Sequence, residues 1–486
     1  MRVNHQANAG TQLQVLSADD VERIYLGALR VMADVGVLIK EPAARDLLAD
    51  HGARVRGDLV RIPEGMVKRA LASAPQRFTV HARDPEKSLH IEPNRVHYGP
   101  GPTCPNFLDP YTGQRRPYVM ADAVAVAKTC DALQHISFVE SLGAINDAPA
   151  GLMDVYEFAL MAQHTVKPIV AWAFSRGSCM AIHRLAIAMA GGADAFREQP
   201  NYIFYAEPMS PLHSGQDAMQ KLMYCAEHRI PIVYTPCPIA GGTAPATFAG
   251  VLVQALAESL HGLVVSQLIS PGTPLVMGGV VSIMDMRDTM LSYGAPELSL
   301  LSAGLTEVAR HLGLPMWSTG GCTDAKVVDE QAAVEAALSI AMSGLSGADL
   351  VHDVGFIESA MTGSLEMLVM SDEIIGMVAR ILRGLEVDED TLALEVTQAV
   401  GPGGMYLAEE HTLQHFRRDC FFPKLAHRAN YANWQAQGAT TMGQRINARV
   451  REILETHAPP PLPPEVVAEF DHICAQAVAQ QERGLV

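Results

Sequence analysis

The fold class is decided by three short apolar runs: Pro274-Leu-Val-Met277-Gly278-Gly279, Pro315-Met-Trp317-Ser-Thr-Gly320-Gly321-Cys322 and Leu350-Val-His352-Asp353. Each run has a polar or glycine-rich exit, and a long stretch with helical spacing of apolar residues follows it. In parallel α/β barrels the chemically active side chains stand where the strands end. These runs therefore predict the rim of an active site.

The same alternation of strand and helix extends over most of the chain. Strand candidates recur about every 36 residues, a comfortable length for βα units, and they begin near Val96, Ile136, Pro168, Tyr202, Pro231, Pro274, Pro315 and Leu350. Eight units are the number that closes a barrel whose interior side chains can fill. An open doubly wound sheet would need a phosphate-binding turn after its first strand, and Gly99-Pro-Gly-Pro102 is a poor one. The prediction is an α/β fold, a (β/α)8 TIM barrel.

The flanking segments predict two additions to the barrel. Residues 1–94 contain a capping-box-like helix start at Ser17-Ala-Asp-Asp20 and a hairpin turn at Gly57-Asp58, which indicates a small α+β cap. The barrel is predicted over residues 95–384. Residues 385–486 are predicted as a helical extension with a stiff proline-rich linker at Pro459–Pro464.

Composition excludes several classes of partner. The 486 residues include 36 basic and 53 acidic side chains, a net charge of −17, which argues against nucleic acid and is compatible with a cationic ligand. Eight cysteines in a chain of this length indicate reduced thiols and a cytoplasmic protein. The apolar window Val251–Ile269 contains Gln254, Glu258 and His261, which favours a buried helix over a membrane span.

Two strand ends carry candidate catalytic residues. His352 and Asp353 end the eighth predicted strand, where one side chain could orient or donate a proton and the other could carry charge. Cys322 and Asp324 end the seventh, although a nucleophilic cysteine would need a nearby base that the sequence does not identify. Packing of a core histidine and of a small thiol at a glycine-rich turn are the alternative interpretations.

Aromatic residues cluster near the predicted strand ends, although they form only 6% of the chain. Aromatic faces attract quaternary ammonium groups by cation–π interaction, and acidic side chains such as Glu207 and Glu140 could add negative charge. Apolar pockets of other kinds are also lined by aromatics. The candidate substrate-binding residues are Tyr98, Trp172, Tyr205, Glu207, Tyr234, Trp317 and Phe356.

Paired glycines would let the backbone approach a bulky planar ligand closely. Gly278, Gly279, Gly320 and Gly321 are the candidate cofactor-binding residues, while the absence of a GxGxxG sequence gives no support to a nucleotide. No metal site is predicted. A zinc site built from Cys104, Cys322 and His352 is an alternative that no local spacing supports.

Several strings along the chain resemble the trimethylamine methyltransferase family, in particular its corrinoid-dependent members without pyrrolysine. Their order from Gly52 to near Ile453 is more specific than any one of them. The strings are Gly52-Ala-Arg-Val55, Val60-Arg-Ile-Pro-Glu64, Leu108-Asp-Pro-Tyr-Thr-Gly113-Gln-Arg-Arg116-Pro117, Tyr293-Gly-Ala-Pro-Glu297, Ser318-Thr-Gly-Gly-Cys-Thr-Asp-Ala-Lys326, Gly401-Pro-Gly-Gly404-Met-Tyr-Leu407, His411-Thr412 and Phe422-Pro-Lys424, followed by Arg428, Tyr431, Trp434 and Gly438.

The resemblance implies a barrel whose open end receives a separate corrinoid protein carrying cobalamin, and a substrate that is a small methylated amine. Trimethylamine enzymes of the family use pyrrolysine, whereas this chain has only standard residues. A quaternary amine leaves as a neutral tertiary amine and needs no covalent activation, so a glycine betaine-like substrate is favoured, with His352 as a donor to its carboxylate. A homo-oligomer without membrane contact is expected.

Two other functions stay open from the residues alone. A barrel lyase or aldolase could use Cys322 or form a Schiff base at Lys326. A catalytically silent member could bind a quaternary amine or a corrinoid carrier without turnover.

Overall fold

The computed structural model describes residues 12–482. Within that range the strands are β1 Val37–Ile39, β2 Arg54–Arg56, β3 Leu59–Arg61, β4 Phe78–Val80, β5 Leu89–Ile91, β6 His97–Tyr98, β7 Asn106–Leu108, β8 Arg115–Pro117, β9 Ile169–Ala171, β10 Tyr202–Ala206, β11 His213–Ser214, β12 Ile232–Tyr234, β13 Ile239–Ala240, β14 Leu275–Gly278, β15 Ser282–Asp285, β16 Met290–Leu291, β17 Met316–Thr319, β18 Leu350–His352, β19 Phe356–Ile357 and β20 Thr362–Ser364.

The same range contains α-helices before, between and after these strands. They are α1 Ala18–Arg30, α2 Pro42–Asp50, α3 Glu64–Ser73, α4 Met120–Ala132, α5 Met153–His164, α6 Arg176–Ala190, α7 Ala193–Glu198, α8 Gln216–His228, α9 Phe248–Ile269, α10 Pro296–His311, α11 Glu330–Ser346, α12 Leu365–Leu382, α13 Glu389–Leu392, α14 Leu394–Val400, α15 Glu410–Asp419, α16 Tyr431–Ala436, α17 Met442–Thr456 and α18 Pro464–Glu482, with a π-helical turn at Val31–Val35 and a 3-10 turn at Pro85–Lys87.

The centre of the fold is a curled, seven-stranded parallel sheet that forms a half-barrel. Its strand order is β6-β18-β17-β14-β12-β10-β9, and every neighbouring pair is parallel. Seven of the eight predicted strand positions are therefore strands of this sheet. The mixed α/β class is confirmed.

The remaining predicted strand, the second in chain order, begins near Ile136 and is not a regular strand in the described part of the chain. The segment makes one parallel bridge on each side, from Ile136 to Tyr98 and from Val139 to Ile169. Its neighbour β6 is only two residues long, because the following Gly99-Pro-Gly-Pro102 offers no amide hydrogen at its two prolines. A continuous ladder is thus interrupted where the prediction required it to close the barrel.

Side chains alternate between the interior of the half-barrel and its helical layer, as a strand requires. The interior cluster consists of Phe138, Val170, Ile203, Tyr205, Val233, Val276, Trp317 and Leu350. The antiparallel hairpin β4–β5 adds Val80, Leu89 and Ile91 to the same cluster, so it closes the end opposite the strand exits. Outside the sheet, the second cluster joins the strands to the helices.

Local signals in the N-terminal segment are confirmed. Ser17 and Asp20 form the capping box of α1, with the Asp20 amide donating to Ser17 Oγ at 3.2 Å. Strands β2 and β3 pair antiparallel across Gly57, whose φ of 61° suits the tight turn. Strand β1 pairs with β3 and also with β11, which attaches this segment to the chain that follows β10. The division at residues 94 and 384 stays a prediction.

Helix α9 contains the apolar window Val251–Ile269 of the sequence. It is 22 residues long and apolar enough to cross a membrane, but 72% of its most apolar window is buried inside the protein. It packs against α1, α3 and α8, and two of its buried polar side chains pair with each other, since Gln254 Nε2 donates to Glu258 Oε1 at 2.9 Å. A helix with these contacts belongs to the core.

Candidate active site

The carboxyl ends of the parallel strands open into a cavity of about 460 Å³, and this end of the half-barrel is called the mouth below. Such strand ends are where parallel α/β folds place their ligands. The cavity is lined by Pro102, Thr103, Trp172, Ala173, Phe174, Tyr205, Ala206, Glu207, Lys221, Cys237, Val280, Tyr293, His352, Asp353, Phe356 and Ala360.

Six predicted site residues are brought together in this lining. They are Trp172, Tyr205, Glu207, His352, Asp353 and Phe356. Five of them lie in or directly after β9, β10 and β18 of the half-barrel, whose curl brings these strand ends together, and Phe356 lies in β19 of a separate four-stranded sheet.

Two carboxylates give the cavity its charge. Glu207 Oε1 accepts a short hydrogen bond from the Tyr205 hydroxyl, which holds it in place. Asp353 Oδ1 lies 2.8 Å from His352 Nδ1, but the angle is not that of a hydrogen bond. Asp353 Oδ2 has no hydrogen-bond partner within residues 12–482. A buried carboxylate oxygen without a partner calls for a ligand to satisfy it.

The Nε2 atom of His352 contacts the neighbouring strand, on the side away from Asp353. Nε2 lies 3.3 Å from Thr319 Oγ1 of the neighbouring strand β17. The imidazole ring stands 4.8 Å from the Trp317 ring and 6.0 Å from the Tyr205 ring, centroid to centroid. The side chain is therefore held between the interior core and the cavity floor.

Aromatic rings form the cavity wall beside the carboxylates. Trp172 packs edge-on against Phe174 with ring centroids 4.7 Å apart, and its Nε1 donates to Glu157 Oε2 at 3.0 Å. On another side Tyr293 and Phe356 pack edge-on at 6.2 Å. Rings that are fixed in this way present their faces or edges at low entropic cost.

Burial changes the protonation of the acids near the cavity. It raises the pKa of Glu207 above the usual range, and the hydrogen bond from Tyr205 opposes that shift. Burial also raises the pKa of Glu157 to about 8. Glu140, which has no hydrogen-bond partner in the described part of the chain, has its pKa raised well above the usual value, first by burial and then by the Asp353 charge. The acids are thus poised to gain from a cation placed among them.

Lys221 is the cation of the lining. It projects from α8, and its Nζ donates a short hydrogen bond to the carbonyl of Ala173. Burial lowers the pKa of this ammonium group. One wall of the cavity is therefore positive, while Glu207 and Asp353 make another negative.

The backbone around Asp353 requires special residues. Asp353 itself has a φ of 71°, a left-handed conformation that costs free energy for a residue with a side chain. A Cβ on Gly101 would come within 2.1 Å of Asp353 Oδ1 and 2.6 Å of the Phe356 ring. Glycine at position 101 is thus what allows the carboxylate to stand where it does.

Other predicted site residues lie outside the lining. The Tyr98 hydroxyl donates to the Ile340 carbonyl of α11 at 3.1 Å, and the Tyr234 ring packs against His261 of α9. Trp317 points inward but is completely buried in the interior cluster below the cavity. Tyr98 and Tyr234 therefore face the helical layer, and Trp317 lies in the core beneath the cavity.

Cys322 and Asp324 stand in the loop after β17. Cys322 is completely buried, and burial raises the pKa of its thiol well above the usual value. Asp324 accepts hydrogen bonds from the amide of Tyr293 and the hydroxyl of Ser359, both at 2.7 Å, and from the hydroxyl of Ser292. These contacts hold the loops that carry Tyr293 and Phe356.

The four predicted cofactor-binding glycines also lie outside the lining. A Cβ on Gly278 would come within 2.0 Å of the Trp317 carbonyl oxygen, and one on Gly279 within 3.0 Å of the Pro236 carbonyl oxygen. A Cβ on Gly320 would come within 3.1 Å of Ser343 Oγ, and Gly321 has a φ of 72°. Their immediate environment is neighbouring backbone and side chains of this chain.

Sequence reasoning missed several lining residues, among them Phe174, Lys221, Cys237 and Tyr293. Lys221 lies inside a helix and Tyr293 follows the hairpin β15–β16, so neither stands at a strand end of the sheet. Phe174 and Cys237 could have been found, since each lies three residues beyond a strand of the half-barrel. No group of three or more His, Cys, Asp or Glu side chains suited to a metal ion occurs in residues 12–482.

A model of the trimethylamine methyltransferase family matches residues 2–481. The chain belongs to this family. It is 31% identical over 464 residues to the glycine betaine methyltransferase of Desulfitobacterium hafniense strain Y51, covering 95% of this chain and 96% of that protein. It is 30% identical over 469 residues to a trimethylamine methyltransferase of another strain of that organism, covering 96% of this chain and 94% of the relative.

The family's relatives extend to archaea, and one solved structure shares the fold. The trimethylamine methyltransferase of Methanosarcina barkeri strain Fusaro is 30% identical over 488 residues, with 96% of each chain covered. The crystal structure of the monomethylamine methyltransferase of Methanosarcina barkeri matches with a TM-score of 0.55 over 91% of this chain and 88% of that one. At 13% identity, that likeness concerns the fold alone.

Proposed function

We propose that this methyltransferase moves a methyl group from a small quaternary amine, glycine betaine or a similar betaine, to a corrinoid carried by a separate protein. The observation that carries the proposal is the cavity at the mouth, where two carboxylates and an aromatic wall surround a space of about 460 Å³. Its context is a family in which a relative of 31% identity is named a glycine betaine methyltransferase.

The cavity chemistry suits a permanently charged, methylated nitrogen. Such a nitrogen has no hydrogen to donate, so it is recognised by ring faces and by charge. Trp172, Tyr205 and Phe356 supply rings, and Asp353 and Glu207 supply the charge. Cation–π contacts contribute about 0.5–2 kcal/mol each, and more when water is excluded.

A betaine also carries a carboxylate, and Lys221 is the side chain that can form an ion pair with it. His352, the predicted donor, also lines the cavity, but it is only 1% exposed and its Nε2 already lies 3.3 Å from Thr319 Oγ1. Lys221 lines the same cavity and can exchange its bond to the Ala173 carbonyl for a substrate carboxylate. This arrangement favours a zwitterion over a simple cation such as choline.

The reaction does not require general acid–base catalysis by the protein. When the carbon–nitrogen bond breaks, its electron pair stays on nitrogen, and the product is a neutral tertiary amine that needs no proton. Cobalamin in its reduced form, bound by the partner protein, supplies the nucleophile. The residues of this chain bind the cation, exclude water and point one methyl group toward the mouth, which are orientation effects.

The mouth offers a surface on which a corrinoid protein could seat. Six exposed apolar side chains lie on the chain segments that follow strands β9, β10, β12, β14 and β18, and we call them the mouth ring: Phe174, Met209, Phe248, Met286, Met290 and Met361. Methionine-rich surfaces adapt to partners and to flat apolar groups.

We further propose that Ile136–Val139 completes an eight-stranded barrel through its two bridges and that the protein works in the cytoplasm.

Binding of matched ligands tests the recognition step without any corrinoid. Glycine betaine should bind in calorimetry, whereas 3,3-dimethylbutanoate, its neutral-carbon isostere, should bind at least about tenfold more weakly because it lacks the charge. Turnover is then tested by incubating the protein with betaine and reduced cobalamin and following methylcobalamin by absorbance. Equal binding of both ligands, or no methyl transfer from any betaine, choline or carnitine, would contradict the proposal.

The two alternative functions gain no specific support from the geometry. Lys326 is exposed, its Nζ donates to the Asp324 carbonyl at 2.8 Å, and it lies outside the cavity lining. Cys322 is buried with a raised pKa, which disfavours a thiolate nucleophile. A silent binding protein would bind betaine in calorimetry and give no methylcobalamin.

A further inference from the structure

The segment of residues 385–424, which we call the C-terminal arm, is folded without a core of its own. It contains α13, α14 and α15, which are 4, 7 and 10 residues long. None of residues 385–424, all of which lie in the described range, is buried. Helices this short are marginal in water unless one face packs against something.

The arm also exposes an unusual set of large apolar side chains. Eight of them are between 44% and 82% exposed: Leu385, Leu392, Leu394, Met405, Tyr406, Leu407, Leu413 and Phe422. Since large apolar and aromatic side chains each present roughly 150–250 Å², the set offers on the order of 1,000 Å². A specific interface buries about 800 Å² on each partner, so the exposed surface is large enough for one.

The arm is attached at the end of the half-barrel opposite the mouth. Arg380 Nε donates to the Asp419 carbonyl at 2.5 Å, close to the end of α12. Lys424 Nζ donates to Gln134 Oε1 at 3.1 Å, just before the segment at Ile136 enters the half-barrel. A protein that docks at the mouth therefore leaves the arm uncovered.

Charge on the arm is divided between two stretches. Glu386, Asp388, Glu389 and Asp390 are acidic, whereas Arg417 and Arg418 follow in α15. The two stretches already contact each other within one chain, because Arg418 lies 3.9 Å from Glu386 and His415 lies 3.5 Å from Asp390. The exposed apolar side chains, rather than unpaired charge, are therefore what the arm offers to a second copy.

We propose that the C-terminal arm is the interface at which two copies of this chain associate. Burial of the eight apolar side chains against the same surface of a second copy supplies the packing that the arm lacks within one chain. The expectation does not depend on the proposed function.

Sedimentation velocity of the full chain over a concentration series tests the proposal. The unmodified protein should sediment as a dimer or a multiple of one at micromolar concentration. The double variant Leu394→Glu/Leu407→Glu should weaken association at least about 100-fold, since it places two charges in an apolar contact. Both side chains are exposed, at 65% and 79%, so the fold of the single chain tolerates the change.

Val334→Glu is the matched control, because Val334 is 67% exposed on α11 and lies outside the arm. It should leave the sedimenting mass unchanged, and circular dichroism should be unaltered in both variants. An unmodified protein that stays monomeric at about 100 μM would overturn the proposal, as would a double variant that keeps the original mass.

Cys420 gives a second measurement on the same surface. It is exposed at the end of the arm, whereas the other seven cysteines are buried or half-buried. Mixing donor-labelled and acceptor-labelled protein should produce energy transfer at Cys420, and the Leu394→Glu/Leu407→Glu background should remove it. A dimeric mass without energy transfer would place the interface elsewhere and reject the proposal.

Discussion

The loops after β17 and β18 each contain an aspartate, but the two carboxylates differ in how many hydrogen bonds they accept. Each has an aspartate a few residues beyond its strand, Asp324 in one and Asp353 in the other. Asp324 accepts three hydrogen bonds from neighbouring loops, whereas Asp353 Oδ2 has no partner among the described residues. A saturated carboxylate holds structure together, and an unsaturated one in a cavity wall is available to a ligand.

The sharpest way to break this comparison is the substitution Asp353→Asn. It keeps the shape of the side chain and removes the charge beside the substrate cation. Loss of a desolvated charge partner costs about 3 kcal/mol, so kcat/KM for betaine should fall about 100-fold. Binding of 3,3-dimethylbutanoate, an anion with a neutral carbon in place of the quaternary nitrogen, should not weaken, and an equal loss for both ligands would mean that Asp353 only shapes the cavity.

The same substitution at Asp324 should act on stability instead. Asp324→Asn replaces one accepting oxygen by an NH2 group, which leaves at least one of its three donors facing another donor. We expect the free energy of unfolding in urea to drop by about 2 kcal/mol, with a smaller change in kcat/KM than Asp353→Asn gives. Full stability together with a large loss of activity would reverse the roles assigned to the two aspartates.

The alternation of strands and helices made the class of fold and the position of the site predictable. Residues immediately beyond strand ends, such as Glu207 and Asp353, were found because parallel strands end at one edge of a sheet. Closure of the barrel was not predictable at Ile136, since the apolar pattern of that segment does not reveal how short its neighbour β6 is.

The sequence pattern did not predict which face of the sheet each side chain would point to. Tyr234 faces α9, one residue before Thr235, which points inward; a shift of one residue exchanges the two faces. Trp317 faces inward but ends one layer below the cavity. Lys221 was missed because its position depends on how α8 packs against the loop after β9, a long-range contact without a local signal.

Gly101→Ala tests whether the position of Asp353 is set by its surroundings. The new methyl group would come within 2.1 Å of Asp353 Oδ1, so the carboxylate must move away from the cavity. We expect about a tenfold fall in kcat/KM, because a displacement of this size weakens orientation. Gly443→Ala is the control, since a Cβ there has open space and the helix α17 tolerates alanine, and it should leave kinetics unaltered.

Glu157 shares one property with each of the two aspartates. It is buried, as Asp353 is, and it accepts hydrogen bonds, as Asp324 does, from the Ile145 amide and from Trp172. Burial raises its pKa from 4.5 in the unfolded chain to about 8 in the folded protein. The folded state therefore holds a proton that the unfolded state has lost, so this contribution to stability is complete below pH 4.5 and declines as the pH rises toward 8. The slope is at most about 1.4 kcal/mol per pH unit for one proton.

Glu157→Gln should flatten the pH dependence of the unfolding free energy between pH 4.5 and about 8, measured by urea titration at each pH. An unchanged slope would show that Glu157 is already ionised at neutral pH, and its hydrogen bonds would then make it a structural carboxylate of the Asp324 kind.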